Sequence, residues 1–359
     1  MTTETATAAE AAAPVLDVRE LKAVYDSPRG PVRALNGVSF SVRSGEVLAL
    51  VGESGSGKSA SALAIMGLLP RTSGRVTAGQ ILFERRDLLG LPEKELRALR
   101  GDEIALVFQN PMTTLNPTRT VGAQLREVIR HHTGRTRREA DARATELLGL
   151  VEIPDPAARL KSYPHQLSGG MRQRVMIALA LSCDPRLLIA DEATTALDVT
   201  TQAQVLHLLR RITARLGTAM VVITHNMGVV AGLADRVAVM YAGRIVETGT
   251  VEEIFYEAQH PYTVGLLGAI PRMDTPRATE LASIEGRPPS LLDLPPGCAF
   301  ADRCGHTMDI CRTEEPAPVT PERHTAACWA DPAEVRAAAA PAGETPRGKA
   351  PSTQGEEAV

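Results

Sequence analysis

Four groups of residues carry types that chemistry needs at spacings it can use. Gly52-Glu53-Ser54-Gly55-Ser56-Gly57-Lys58-Ser59 fits G-x-x-x-x-G-K-[ST]. Backbone N–H groups in such a loop converge on an anion at the positive end of the following helix, and the glycines let the main chain approach unobstructed. Gly52, Ser54, Gly55, Ser56 and Gly57 are therefore candidate phosphate contacts. Lys58 supplies a cation to β- and γ-phosphates, and the Ser59 hydroxyl can ligate Mg²⁺. Asp191-Glu192 closes the apolar run Leu187-Leu188-Ile189-Ala190. The first carboxylate at such a strand end reaches the metal through its water shell. The second is placed to polarise an attacking water as general base. Ser168-Gly169-Gly170 precedes a further helical pattern and offers a second anion site, with a capping hydroxyl and open amides. Finally, Cys298, Cys304, Cys311 and Cys328 run C-x5-C-x6-C-x16-C. Zinc knuckles use tighter pairs, whereas four thiolates on a loop-rich segment can hold a [4Fe–4S] cluster. Zinc and metal-free thiols stay open beside it.

These groups need a scaffold. Leu16, Val18 and Leu21 in one stretch, and Val38, Phe40 and Val42 in another, predict a half-buried antiparallel layer. The run Glu46 to Val51 is the pattern of a strand covered on both faces, and it leads through the glycine-rich loop into a helix from Lys58 to about Leu69. Val121, Leu125, Val128 and Ile129, then Ala140, Ala144, Leu147 and Leu148, recur at helical spacing and predict a helical insertion over about 111–170. A helix from Met171 to Leu181, a strand Leu187 to Asp191, a helix from about Gln202 to Leu216 and a strand Ala219 to Thr224 follow. Alternation of this kind builds right-handed βαβ units and a parallel sheet. Val237 to Glu247 reads as a hairpin turning at Ala242-Gly243. The expected fold class is α/β: a parallel sheet with an N-terminal antiparallel β layer, a helical insertion subdomain and a small irregular C-terminal cysteine-containing extension. Its expected divisions are a disordered tail over 1–14, a main domain over 15–257, the extension over 258–336 and a disordered tail over 337–359.

Composition narrows the classes. The chain has 359 residues, 44% hydrophobic and 23% charged, which suits about two globular domains. Its 39 basic and 42 acidic side chains give a net charge of -3, so nothing electrostatic favours wholesale nucleic-acid binding. No apolar run is long enough to span a bilayer, and the opening MTTETATAAEAAAPV lacks the basic residues and apolar core of a secretory signal. A cytosolic protein is expected, whose cysteine cluster reads as a metal site before disulfides. Aromatics make up only 3% of residues, so aliphatic packing must fill the core. Cys183 reads as a buried small hydrophobe, and His306 and His324 as solvated. Arg130-His131-His132 with Arg135, Arg137 and Arg138 reads as a solvated face, with anionic lipid or a transmembrane partner as the sharper alternative.

Leu167-Ser168-Gly169-Gly170-Met171-Arg172-Gln173-Arg174 resembles the LSGG-x-x-QR signature of the ATP-binding subunits of ABC transporters, with Met171 where glutamine is more usual. The resemblance implies a P-loop NTPase (RecA-like) sheet that binds ATP and Mg²⁺. It also implies head-to-tail pairing, in which Ser168, Gly169 and Gly170 face the γ-phosphate held by the partner's loop. Gln109, in Val107-Phe108-Gln109-Asn110-Pro111, corresponds to the Q-loop glutamine at Mg²⁺ and water. Asp198, in Ala196-Leu197-Asp198, corresponds to the D-loop, and His225, after Val221-Val222-Ile223-Thr224, to the switch histidine. Tyr25 falls where the family places an aromatic on adenine. His260-Pro261-Tyr262-Thr263, Asn226-Met227-Gly228, Asn116-Pro117 and the cysteine region are similar to the oligopeptide/dipeptide (and nickel-type) importers, whose related subunits carry a [4Fe–4S] cluster on such cysteines. The implied protein is an ATPase peripheral to the cytoplasmic face of the cell membrane. Its implied partners are a second ABC ATPase subunit (paralogue or identical copy), two integral membrane permease subunits and, through them, an extracytoplasmic solute-binding protein, with no nucleic acid. The alternative is a soluble ABC ATPase of DNA repair or translation. Such proteins carry long coiled-coil insertions or two cassettes, and neither pattern occurs in this sequence. A P-loop small-molecule kinase conflicts with Leu167 to Met171.

Overall fold

The computed structural model describes residues 13–108, 114–192, 199–270 and 284–339. The alternating N-terminal pattern becomes β1 (Leu16–Ser27) and β2 (Gly30–Val42), paired antiparallel from Leu16–Val42 to Ser27–Gly30. A strand absent from the expected elements, β4 (Gly74–Phe83), pairs with the other edge of β1, and the short β5 (Arg86–Asp87) follows it. Only Ile81 and Phe83 of β4 are buried. Its remaining positions carry no apolar alternation, so backbone pairing to β1 rather than side-chain burial defines it.

The second sheet has the order β11-β10-β9-β3-β8-β7-β6. Its strands β9 (Arg236–Tyr241), β3 (Val47–Val51), β8 (Ala219–Thr224), β7 (Leu187–Asp191) and β6 (Ile104–Val107) are mutually parallel. The continuous apolar runs have a direct cause. Val47, Ala49 and Val51 enter one hydrophobic core, and Leu48 and Leu50 enter the other on the opposite face. β7 and β8 divide in the same way, with Leu188, Ala190, Met220 and Val222 on the first face and Leu187, Ile189, Val221 and Ile223 on the second. The first core reaches the helical insertion, and the second reaches the antiparallel layer. β10 (Arg244–Thr250) returns antiparallel on β9 around Ala242-Gly243, as expected. β11 (Thr325–Ala326), from the C-terminal extension, adds itself antiparallel to β10.

Helix α1 (Lys58–Ile65) follows the glycine loop and stops short of the expected Leu69, because Gly67 takes a positive φ of 61° just beyond it. A short α2 (Glu93–Leu99) precedes β6. The insertion contains α3 (Val121–Thr133), α4 (Arg137–Leu150) and the single turn α5 (Pro156–Arg159). Thr120 caps α3 through the Ala123 N–H, and Thr136 and Glu139 form a capping box on α4. Val121, Leu125 and Ile129 of α3, and Ala140, Ala144, Leu147 and Leu148 of α4, are fully buried. Helices α6 (Gly169–Ala180), α7 (Val199–Leu216), α8 (Met227–Leu233), α9 (Val251–Tyr256) and α10 (Pro261–Gly268) follow, with α11 (Asp309–Thr313) and α12 (Pro332–Ala339) in the extension. Arg130, Arg135, Arg137 and Arg138 are exposed, which both readings of the basic cluster require. Cys183 is half-buried rather than buried, its thiol 3.7 Å from the Ser182 hydroxyl and pushed up by burial.

Candidate functional site

The loop Gly52–Ser59 lies between the end of β3 and the start of α1, so its amides face the N-terminus of that helix. Two of its glycines are forced. A Cβ at Gly52 would lie 2.2 Å from the Met240 carbonyl oxygen, and one at Gly57 would lie 2.6 Å from that of Ala34. Both also take positive φ, 149° and 107°. Gly55 has open space where its Cβ would be, and Ser54 beside it is exposed. Lys58 is 5% exposed. Its ammonium donates to the Gly52 and Glu53 carbonyls, each at 2.8 Å. Burial pushes this ammonium down from its ordinary range, while the carboxylates of Glu192, Asp191 and Glu53 push it up.

The strand ends deliver the remaining groups to the same edge. Ser59 at the start of α1 donates its hydroxyl to Asp191 Oδ1 at 3.0 Å. Burial raises the Asp191 carboxyl above its usual range, an effect the Ser59 bond opposes and the charge of Glu192 reinforces. Glu192 then leaves β7 in the left-handed region with φ 45°, its N–H bonded to the Ile223 carbonyl at 3.0 Å. That turn sends its carboxylate to His225 at the end of β8, where Oε1 lies 3.2 Å from Nδ1. Lys58, Ser59, Asp191, Glu192 and His225 are thus gathered at one sheet edge. A cation, a hydroxyl–carboxylate pair and a carboxylate–imidazole pair arranged this way can neutralise a polyphosphate, share a divalent cation and orient a water.

Other expected residues lie apart. Ser168 is exposed and caps α6, its hydroxyl accepting from the Met171 N–H at 3.3 Å. No Cβ would be obstructed at Gly169, and Gly170 completes the first turn. Among the described residues no hydrogen bond joins Ser168 to the loop 52–59. Tyr25 stands on β1 with its ring against Gly74, without a hydrogen bond to the loop among the described residues. Gln109 and Asp198 lie outside the described residues.

The four extension cysteines are free thiols that line one small cavity with Phe300 and Trp329. Burial pushes Cys298 up to about 11 and raises Cys304 and Cys328. Among the described residues no three His, Cys, Asp or Glu side chains are arranged to hold a metal ion, so the donor set is right in number and kind while its geometry is not that of a ligand shell. His324 is not solvated: its side chain is 9% exposed and its Nε2 lies 3.0 Å from Oε1 of the fully buried Glu247. Two contacts on Glu53 had no sequence signal, because they come from residues 209 and 250 positions away. The Tyr262 hydroxyl accepts from the Glu53 N–H, and Arg303 pairs with the Glu53 carboxylate.

Among the described residues no helix is long and apolar enough to cross a membrane. The family model "ABC transporter" matches residues 35–195, and "Oligopeptide/dipeptide transporter, C-terminal region" matches 246–311. The chain is 52% identical over 316 residues to the dipeptide transport ATP-binding protein DppD of Bacillus subtilis, covering 88% of this chain and 94% of that one. It is 49% identical over 327 residues to the oligopeptide transport ATP-binding protein OppD of Salmonella typhimurium, covering 91% and 97%. In structure it resembles a dimeric ATP-binding cassette, MJ0796, in a post-hydrolysis state with ADP and Pi, with a TM-score of 0.59 at 28% identity over 66% of this chain and 98% of that one. These relatives carry the transporter reading and leave the DNA-repair and translation alternative without support. On motif, geometry and likeness together, the chain belongs to the oligopeptide/dipeptide branch of the ATP-binding subunits of ABC transporters.

Proposed function

We propose that this chain is the ATP-binding and ATP-hydrolysing subunit of a membrane importer for oligopeptides or dipeptides. The observation that carries the reading is the convergence of Lys58, the Ser59–Asp191 pair and the Glu192–His225 pair at the carboxyl ends of parallel strands. The loop amides of residues 55–59 and Lys58 bind the phosphates. Lys58 is held on the loop's own carbonyls and needs only to exchange those neutral acceptors for charged ones. Ser59 and Asp191 would hold Mg²⁺, with Gln109 completing its environment, and the ion would supply charge neutralisation of the phosphates. Glu192 accepts the proton of the attacking water, and His225 holds that carboxylate in place and reaches the γ-phosphate. Tyr25 supports the base. Ser168, Gly169 and Gly170, at the exposed start of α6, face the nucleotide on a second ABC subunit, and Asp198 crosses that interface. Closure of the pair pulls on two permease subunits served by an extracytoplasmic binding protein, which places this chain peripherally on the cytoplasmic face of the membrane.

The four extension thiols support a further reading, a [4Fe–4S] cluster, on the number and softness of donors around one cavity. They would have to draw together from their present positions, and no step of hydrolysis is assigned to them.

The deciding experiment is Glu192→Gln. The variant is expected to bind ATP and to accumulate as a nucleotide-bound dimer, alone or with its sister subunit, while phosphate release falls by about 10²–10⁴-fold. Retention of half the wild-type rate would reject the assignment.

A further inference from the structure

The phosphate loop is held from behind by the C-terminal extension. Arg303 lays its guanidinium fork on the Glu53 carboxylate, Nη1–Oε2 at 2.7 Å and Nη2–Oε1 at 3.0 Å. Its other donors are fixed as well, Nε on the Glu285 carbonyl at 2.9 Å, Nη2 also on that of Ile284 at 3.2 Å and Nη1 also on the Tyr241 hydroxyl at 3.2 Å. The cation lies 5.7 Å from the centre of the Tyr241 ring and 5.8 Å from that of Phe300, and its side chain is only 5% exposed. The Tyr262 hydroxyl accepts from the Glu53 N–H at 2.8 Å. Pro288, Pro289 and Leu291 of the extension line a cavity with the loop residues Glu53 to Ser56.

Glu53 is an awkward residue for an anion-binding loop. It sits one position after Gly52, and its carboxylate is close enough to add to the charge felt by Lys58. Left unpaired, that carboxylate would repel an incoming polyphosphate and compete for Lys58. A bidentate arginine with every donor already anchored removes the charge and fixes the direction of the side chain.

We propose that Arg303 is a positioning residue for nucleotide binding: it neutralises Glu53 and, with Tyr262, holds the phosphate loop so that Lys58 and the loop amides stay available to phosphate. The proposal rests on the reading of residues 52–59 as the nucleotide loop.

The test measures Mg·ATP affinity on the full chain by titration of a fluorescent ATP analogue, with a melting curve on each sample. Arg303→Gln is expected to weaken binding about tenfold, and Arg303→Lys, which keeps the charge, by no more than about threefold. The deciding variant is Arg303→Gln with Glu53→Gln, in which the uncompensated carboxylate is gone. Its affinity is expected to return to within about threefold of wild type. A purely structural role for Arg303 lowers the melting temperature of Arg303→Gln in step with its affinity, whereas a positioning role weakens binding at a melting temperature near that of wild type. Wild-type affinity in Arg303→Gln, or a double variant no tighter than Arg303→Gln, overturns the proposal. If Arg303→Gln fails to fold, the double variant and Arg303→Lys decide alone, since tenfold weakening in either one overturns it. Lys58→Ala separates the underlying reading: undiminished ATP binding there removes the nucleotide loop itself, whatever the Arg303 variants do.

Discussion

Glu192 and His324 each owe their roles to a backbone or partner that their neighbours in sequence do not reveal. The left-handed turn at Glu192 is uncommon for a non-glycine residue and costs conformational energy. It separates two adjacent carboxylates, sending Asp191 to Ser59 and Glu192 to His225. That divergence is what the proposed division of labour between the two carboxylates requires. Glu247, deeply buried, receives the N–H groups of Gln259 at 2.7 Å and His260 at 2.9 Å as well as the His324 ring. The two histidines beside it are shifted in opposite directions. The Glu247 hydrogen bond raises His324 above its ordinary 6.5, whereas burial holds His260 down to about 4. The raised His324 stabilises the fold fully below 6.5 and loses that contribution as pH climbs through its folded value. The lowered His260 withdraws stability as pH falls from 6.5 towards 4. Melting temperature against pH is therefore expected to peak near 6.5. His324→Gln should flatten the alkaline flank and leave the acid flank, and an unchanged alkaline flank would refute the linkage.

Among the elements, β3 best explains why the sequence was readable. Its five residues alternate between two cores, so all five must be apolar, and no helix or half-exposed strand demands that pattern. The same logic made β7 and β8 legible to the residue. Leu50→Ala should destabilise the chain by about 2–5 kcal/mol, read as a shift in urea midpoint at unchanged slope. A loss below about 1 kcal/mol would mean that the second core collapses onto the gap. β4 was not legible, since its pairing to β1 is made by backbone groups that carry no residue code. The site divides along the same line. Lys58, Ser59, Asp191, Glu192 and His225 sit in short motifs at strand ends, where local spacing dictates position. Arg303, Tyr262 and His324 act across long sequence separations, and only the folded chain brings them to Glu53 and Glu247.

At the scale of the molecule, the cassette and the extension share hydrogen bonds, an aromatic cluster and a sheet. Tyr241 of β9, Tyr262 of α10 and Phe300 of the extension meet with ring centres 4.6–5.4 Å apart, in a chain where such rings are scarce. The cysteine cavity abuts that cluster. The proposed cluster requires that the chain, purified without oxygen, carry about four iron atoms with matching labile sulfide. A colourless, iron-free preparation would remove the cluster reading and leave the nucleotide site untouched. The two-residue strand β11 has a wider consequence than its length suggests. By bonding Thr325 and Ala326 along β10, it occupies backbone groups at the rim of a seven-stranded sheet. An uncovered rim is a template on which a stranger's chain can zip itself. The extension thus doubles as a selvedge, and a copy trimmed before residue 325 would keep its nucleotide motifs while inviting its neighbours to stack into aggregates.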